Sequence, residues 1–321
     1  MSAHKEDALW PRASAWLKPA ELAASGATPA AGATTAAHGA NLPNYDLGLI
    51  GIPAHLTSIS PTNAHTTPAA IRAELQRYST YNWTNDTDVA NLSFADFGDV
   101  TDPDSEAGEA RTSQLAAETA ARSGLTIGLG GDNSVTFAMA RGVFGNHIET
   151  AGLITLDAHH DLRDGISNGS PVRRLVDELG LAGGRIVQIG IADFSNSPAY
   201  AARARELGIH VIPRSALRDR TMADVMAEAV SIAGAAGGPV HVDFDVDVCD
   251  RSVVPACPAA APGGISADEF RQLAFEAGRY SQVRSVDFTE IDASIDSQDG
   301  RTVRLAALGI LELAAGRLSA L

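Results

Sequence analysis

Asp243, Asp245 and Asp247 alternate with Val242, Phe244, Val246 and Val248 in the run from His241 to Asp250. Successive side chains of a strand point to opposite faces, so the three carboxylates share one face of an otherwise apolar element. Buried together and unpaired they repel one another, and each is costly to take out of water. A bound cation removes that cost. The run from Gly152 to Asp161 has the same character: a short apolar stretch with the β-branched Ile154 and Thr155 leads into Asp157, His159 and Asp161. It reads as a buried strand that delivers two carboxylates and one imidazole to its end. One such run is explained by a solvated loop; two, far apart in the chain, favour a centre for one divalent cation or a close pair.

From Tyr45 onward strand-like and helical patterns alternate. The strand-like runs are Asp46–Ile52, Leu92–Phe97, Leu125–Leu129, Leu153–Leu156, Ile186–Ile191, Ile209–Ile212, Val240–Val246 and Val283–Phe288. Helical patterns between them include Pro68–Tyr78, Gly108–Ser123, Ser134–Phe144, Pro171–Leu179, Ser197–Leu207, Met222–Ala236 and Ala267–Gly278. Such alternation with short links predicts a three-layer α/β/α fold around a central eight-stranded, mostly parallel sheet. Ligands of such sheets bind at the carboxyl ends of the strands. Both acidic runs end there, as does Gly130-Gly131-Asp132-Asn133-Ser134. Residues 1–43 hold Trp10, Trp16 and an Ala/Gly/Thr-rich tract, Ala23–Ala40, and read as an N-terminal extension. Residues 44–321 read as a single domain.

The charge balance of 24 basic against 39 acidic residues, a net −15, argues against nucleic-acid and anionic-membrane partners. Cys249 and Cys257 form neither a disulfide framework nor a zinc-finger spacing, and read as small buried hydrophobes in a reducing, cytoplasmic setting. The amino terminus lacks a signal peptide's apolar core, and no apolar run is long enough to span a bilayer. The dinucleotide fingerprint fails because Asn133 stands where its third glycine is needed.

Taken together, Gly-Gly-Asp-Asn-Ser (130–134), Asp-Ala-His-His-Asp (157–161), Phe-Asp-Val-Asp-Val-Cys-Asp (244–250) and Phe-Thr-Glu-Ile-Asp (288–292) resemble the motifs of the ureohydrolase family. That family comprises arginases, agmatinases and formimidoylglutamases. A weaker match is Thr67–Arg72. The segments Ser167–Pro171, Ile191–Ser197 and Pro255–Gly264 lean towards formimidoylglutamase, the histidine-degradation enzyme.

The resemblance implies an arginase-like fold and a two-manganese centre. Asp157 and Asp245 would bridge the ions, His159 and Asp247 would complete one of them, and Asp161 would ligate the other and take a proton from the attacking water. Glu290 would hold the cationic nitrogen of the substrate. Oxygen-rich ligation suits Mn2+ better than Zn2+. The family's first motif usually ends in a metal-binding His; here the position is Asn133, whose amide oxygen is a weaker ligand. The first ion is expected to bind loosely or only with substrate, the alternative being that one ion is lost. Arginases and agmatinases carry a His in the segment matching Ser167–Pro171, where this chain has Asn168, which argues against arginase.

A substrate with two carboxylates needs a receptor. Arg163 is the first candidate because its planar fork suits carboxylates, with Asn168 and Ser170 adding hydrogen bonds. Arg173 and Arg174 read as surface charges, Asp243 and Asp250 as supporting residues, and His160 as structural. The expected activity is hydrolysis of N-formimidoyl-L-glutamate to L-glutamate and formamide. The alternatives are hydrolysis of another guanidino compound, such as agmatine or a guanidino acid, and a metal-poor binding relative without turnover. The family resemblance implies a homo-oligomer, a trimer or a hexamer.

Overall fold

The computed structural model describes residues 7–21 and 44–321. Its first strand is β1 (Lys18–Pro19), followed by β2 (Tyr45–Ile52) and a small antiparallel hairpin of β3 (Tyr81–Asn82) and β4 (Thr87–Asp88). Next come β5 (Phe94–Asp99), β6 (Ser123–Gly130), β7 (Gly152–Leu156), β8 (Ile186–Ile191) and β9 (His210–Pro213). The last strands are β10 (Val240–Asp245) and β11 (Val283–Thr289). All except the hairpin join one sheet in the order β1-β5-β2-β6-β11-β10-β7-β8-β9, and every neighbouring pair is parallel.

The sheet thus has nine strands where the sequence reading expects eight. The additional one is β1, from the segment expected to be a peripheral extension. Trp16 anchors it: its indole N–H donates to the Leu92 carbonyl at 2.7 Å and its ring lies 4.7 Å from that of Phe94. The Ala23–Ala40 tract lies outside the described residues.

Helices cover both faces. They are α1 (Thr67–Glu74), α2 (Glu106–Arg122), α3 (Val135–Phe144), α4 (Pro171–Asp177), α5 (Pro198–Glu206), α6 (Met222–Ala233), α7 (Ala267–Arg279) and α8 (Arg301–Ser319). Their starts follow the capping rules: Ser105, Ser197 and Thr221 accept backbone N–H groups of the first turn. Ser266 and Glu269 form a reciprocal capping box. On one face Phe244, Phe288 and Phe270 of α7 pack with ring centroids 5.3 to 6.2 Å apart. The opposite face, which carries Asp243 and Asp245, lies under α3, where Phe144 meets the edge of His241.

Arg174 is not the surface charge that the sequence suggests. It is buried, stacks 3.7 Å over the Phe137 ring, and pairs with Glu109 and Glu178, tying α4 to α2 and α3. Among the described residues, no helix is long and apolar enough to cross a membrane.

Strands β10 and β11 come late in the chain yet lie at the centre, between β6 and β7. The carboxyl ends of these four strands are therefore adjacent, and they carry Gly130–Ser134, Thr289–Glu290, Asp245–Asp247 and Asp157–Asp161.

Because Trp16 pins the edge strand by burial and one hydrogen bond, Trp16→Ala is expected to cost about 3 kcal/mol of stability. Chemical denaturation measures it; an unchanged midpoint would mean that β1 lies outside the cooperative unit.

Candidate metal centre

The site grows from the ends of β7 and β10. All five residues of β7 are buried, and the chain leaves the strand at Asp157, itself 1% exposed. Asp157 Oδ1 accepts the His159 backbone N–H at 2.6 Å, which folds the chain back on itself. Asp245 does the same at the end of β10: its carboxylate accepts the Asp247 N–H at 2.8 Å and caps a tight turn over Val246–Val248. That turn, rather than the strand alternation the sequence suggests, brings Asp247 inward. Asp247 Oδ1 accepts the Ala158 N–H at 2.9 Å and its Oδ2 lies 2.7 Å from His159 Nδ1. Asp157, His159 and Asp247 each offer a ligand atom, all within 4.8 Å of one another.

Asp161 and Glu290 complete the wall. Both have left-handed backbone, with φ of 53° and 61°, a conformation costly for residues with a side chain and held here by their neighbours. Asn133 Nδ2 donates to Asp161 Oδ2 at 2.6 Å, and the Asn133 backbone N–H donates to Glu290 Oε1 at 2.8 Å. Asn168 Nδ2 donates to the same Glu290 oxygen at 2.8 Å. The Glu290 N–H donates to the Gly131 carbonyl at 3.0 Å. Gly131 has no room for a side chain, because a Cβ there would lie 1.7 Å from the Ala54 carbonyl oxygen.

The electrostatics show a deficit of positive charge. Burial pushes the carboxyls of Asp157 and Asp245 well above their usual range, and neighbouring carboxylates push the same way. Asp161 rises to about 7, chiefly through burial. Glu290 rises to about 8 through burial and then through Asp132. Burial acts against the His159 cation, but the bond to Asp247 and the surrounding carboxylates outweigh it and hold the imidazole at about 9. Asp247 is lowered, its burial outweighed by His159. Among the described residues, no Arg or Lys forms an ion pair with any of these carboxylates, and a divalent cation would supply the missing charge. The donor set fits one: carboxylate oxygens, one imidazole and one amide suit Mn2+.

The other sequence candidates fall into place unevenly. Arg163 is exposed, its aliphatic stem beside Gly169, and among the described residues no carboxylate pairs with it. Arg173 braces that loop, donating to the Arg163 and Gly165 carbonyls at 2.6 Å each, so it is a structural residue rather than a free surface charge. Asn168 accepts from the Ile59 N–H at 3.0 Å while it holds Glu290. Ser170, expected to face substrate, is buried with its hydroxyl spent on Ser167, donating at 2.8 Å and accepting at 2.9 Å. His160 bonds Gln188 at 2.6 Å, away from the carboxylates. Cys249 and Cys257 are free and buried, which raises both thiols well above their usual range. Asp250 closes a surface loop through Ser252 and Gly263.

Three participants escaped the sequence reading. Thr136 and Thr289 both donate to Asn133 Oδ1 at 2.9 Å. Asp287 lies beside Asp243 in register, with His241 Nε2 3.2 Å from its Oδ2, so a polar column runs beneath the site. For Thr289 and Asp287 the signal was their period-two spacing along β11, on the face of Ser285.

The arginase-family model matches residues 45–316. The formimidoylglutamase of Halalkalibacterium halodurans is 36% identical over 84% of this chain and 86% of that protein. That of Bacillus subtilis is 31% identical over 84% of this chain and 86% of its own length. The crystal structure of the Bacillus subtilis formimidoylglutamase superposes with a TM-score of 0.86, covering 99% of this chain and 95% of that one at 26% identity. The Trypanosoma cruzi formiminoglutamase with Mn2+ superposes with a TM-score of 0.78 at 26% identity, covering 85% of this chain and 93% of that one.

Asp161 and Glu290 hold protons in the metal-free fold that the unfolded chain releases near pH 4, so their contribution is full below that and lost as pH rises through about 7 and about 8. Metal-free protein is accordingly expected to melt at falling temperature from pH 5 to pH 8, and Mn2+ to reverse the loss. Calorimetry across buffers checks it; a metal-free melting point that climbs with pH would contradict the charge deficit.

Proposed function

The chain belongs to the arginase family, and we propose that it hydrolyses N-formimidoyl-L-glutamate to L-glutamate and formamide with two Mn2+ ions. The observation that carries this reading is the cation-deficient cluster of buried Asp157 and Asp247 with half-buried His159, beside a Glu290 fixed by Asn133 and Asn168. The substrate comes from the relatives, several of which are named formimidoylglutamases and match over most of this chain.

Asp157, His159, Asp161, Asp245 and Asp247 would hold the ions, with Asn133 as a weaker amide ligand. Bound there, the ions would supply an activated water and positive charge to offset what develops on the substrate. Glu290, kept in one rotamer by two N–H donors, receives the formimino nitrogen and orients the trigonal carbon. Asp161, buried beside these residues, would take the proton released by the attacking water and pass it to the glutamate nitrogen. The bond from the formimino carbon to that nitrogen breaks, a carbonyl forms, and formamide leaves. Arg163, exposed and without a carboxylate partner among the described residues, receives the substrate's carboxylates.

The polypeptide works as a homo-oligomer, a trimer or a hexamer. Exposed Tyr81 and Trp83 on the hairpin, beside a groove of about 720 Å³ between the hairpin and α7, support a contact surface of that kind. Free, buried cysteines and an acidic surface are in keeping with a cytoplasmic setting.

Turnover by Mn2+-loaded protein, compared across formimidoylglutamate, agmatine, arginine and small guanidino acids, tests the assignment. Glutamate release from the first substrate alone is expected; activity confined to a guanidino compound would overturn the substrate. Arg163→Ala is expected to lower kcat/KM about 10- to 100-fold, mainly through KM, because a charge-assisted contact is lost. Glu290→Gln is expected to lower kcat about 100-fold or more with Mn2+ retained, in line with loss of one preorganised electrostatic contact; metal analysis alongside kinetics distinguishes this from loss of the ions.

A further inference from the structure

Asn133 is 1% exposed, and three of the four hydrogen-bonding positions of its amide are used. Its nitrogen faces Asp161 Oδ2 at 2.6 Å, and its oxygen takes the hydroxyl protons of Thr136 and Thr289, each at 2.9 Å. The carboxylate of Asp161, an acceptor, fixes the nitrogen on that side. The outer end of the amide carries no such constraint, because a hydroxyl accepts as readily as it donates. Thr289 has one proton and two acceptors in reach, since Asp243 Oδ1 lies 3.3 Å from the same hydroxyl.

If the amide turns over, exchanging its O and N, the two hydrogens of Nδ2 meet the two threonine oxygens. The Thr289 hydroxyl then donates to Asp243, and the oxygen of Thr136, on the first turn of α3, becomes an acceptor. Both hydroxyl oxygens accept from the amide at its outer end. The oxygen then faces the metal residues, and only Asp161 gives up a donor, which a cation replaces.

We propose that Thr136, Thr289 and Asp243 are positioning residues that let Asn133 work in two orientations, holding Asp161 through its nitrogen in one and ligating the first Mn2+ through its oxygen in the other. The proposal rests on the metal-dependent reading above. It accounts for a weak amide at a position that should carry a strong ligand: the protein keeps the orientation adjustable instead of fixed. It also predicts an asymmetry. Without the Thr289 hydroxyl, the nitrogen-inward form still has Thr136 for its oxygen, whereas the oxygen-inward form leaves a buried N–H unpaired. An orphaned N–H is tolerated less well than an under-bonded carbonyl.

The experiment is Mn2+ titration of metal-free protein by calorimetry, for the wild type, Thr289→Val, Thr289→Ser and Thr136→Val, with the melting point of each metal-free variant. Thr289→Val and Thr136→Val are expected to weaken one of the two Mn2+ sites about 10- to 100-fold and spare the other, with Thr289→Ser restoring the affinity. Two Mn2+ ions bound by both valine variants with wild-type affinity would overturn the proposal while leaving the metal-dependent function intact. A wild type that binds no Mn2+ would overturn both. If Thr289→Val fails to fold, Thr136→Val carries the same prediction. A crystal structure of the Mn2+-loaded wild type with Asn133 still bonded to Asp161, and no ion within coordination reach of its amide, would also overturn it.

Discussion

Four aspartates gathered at the ends of two central strands set the terms for everything around them. Asp157, Asp161, Asp245 and Asp247 are all buried, with His159 the one cationic side chain among them. Such a cluster is tolerated only if every oxygen is bonded or neutralised. The surrounding backbone is shaped to that end. Asp157 and Asp245 each cap the turn that follows them, Asp247 receives the Ala158 amide, and Asn133 serves Asp161. The tight packing of Gly131 on Ala54 and the left-handed backbone at Asp161 and Glu290 show local strain accepted so that these side chains meet.

The site was legible in the sequence because most of its residues lie in four short runs, each next to an apolar strand. The succession of strands and most helices along the chain was legible from their alternating patterns, but not the order of the strands in the sheet. The geometry was less so. Asp247 reaches the site through a turn capped by Asp245, and no periodicity describes that. Ser170 looked available because a serine beside an asparagine and a glycine resembles a binding loop, but the loop closes on its own hydroxyl. Arg174 looked exposed at the start of a helix. Its burial depends on Glu109, 65 residues away, a pairing that only the fold creates.

Besides the short hairpin of β3 and β4, two elements were missed for opposite reasons. Strand β1 is two residues long and contains a proline, so it carries no strand signal and depends on Trp16. Helix α8 spans 19 residues but is buried on most of its circumference, from Thr302 to Arg317, so no polar stripe marks it. Its glycines permit close packing on α7: a Cβ at Gly316 would lie 1.9 Å from the Phe275 carbonyl oxygen.

The position of β10 and β11 has a consequence for how the molecule comes into being. Until residues 240–289 have been synthesised, β6 and β7 have unpaired edges facing each other, and the sheet is two separate halves. Exposed parallel edges invite association with other chains, and pairing over such sequence separations is slow. Asp243, Asp245 and Asp247 arrive in that same segment, and Glu290 follows it directly. Closure of the sheet and assembly of the metal centre are therefore one event, late in translation, and a chain stalled before residue 240 has neither.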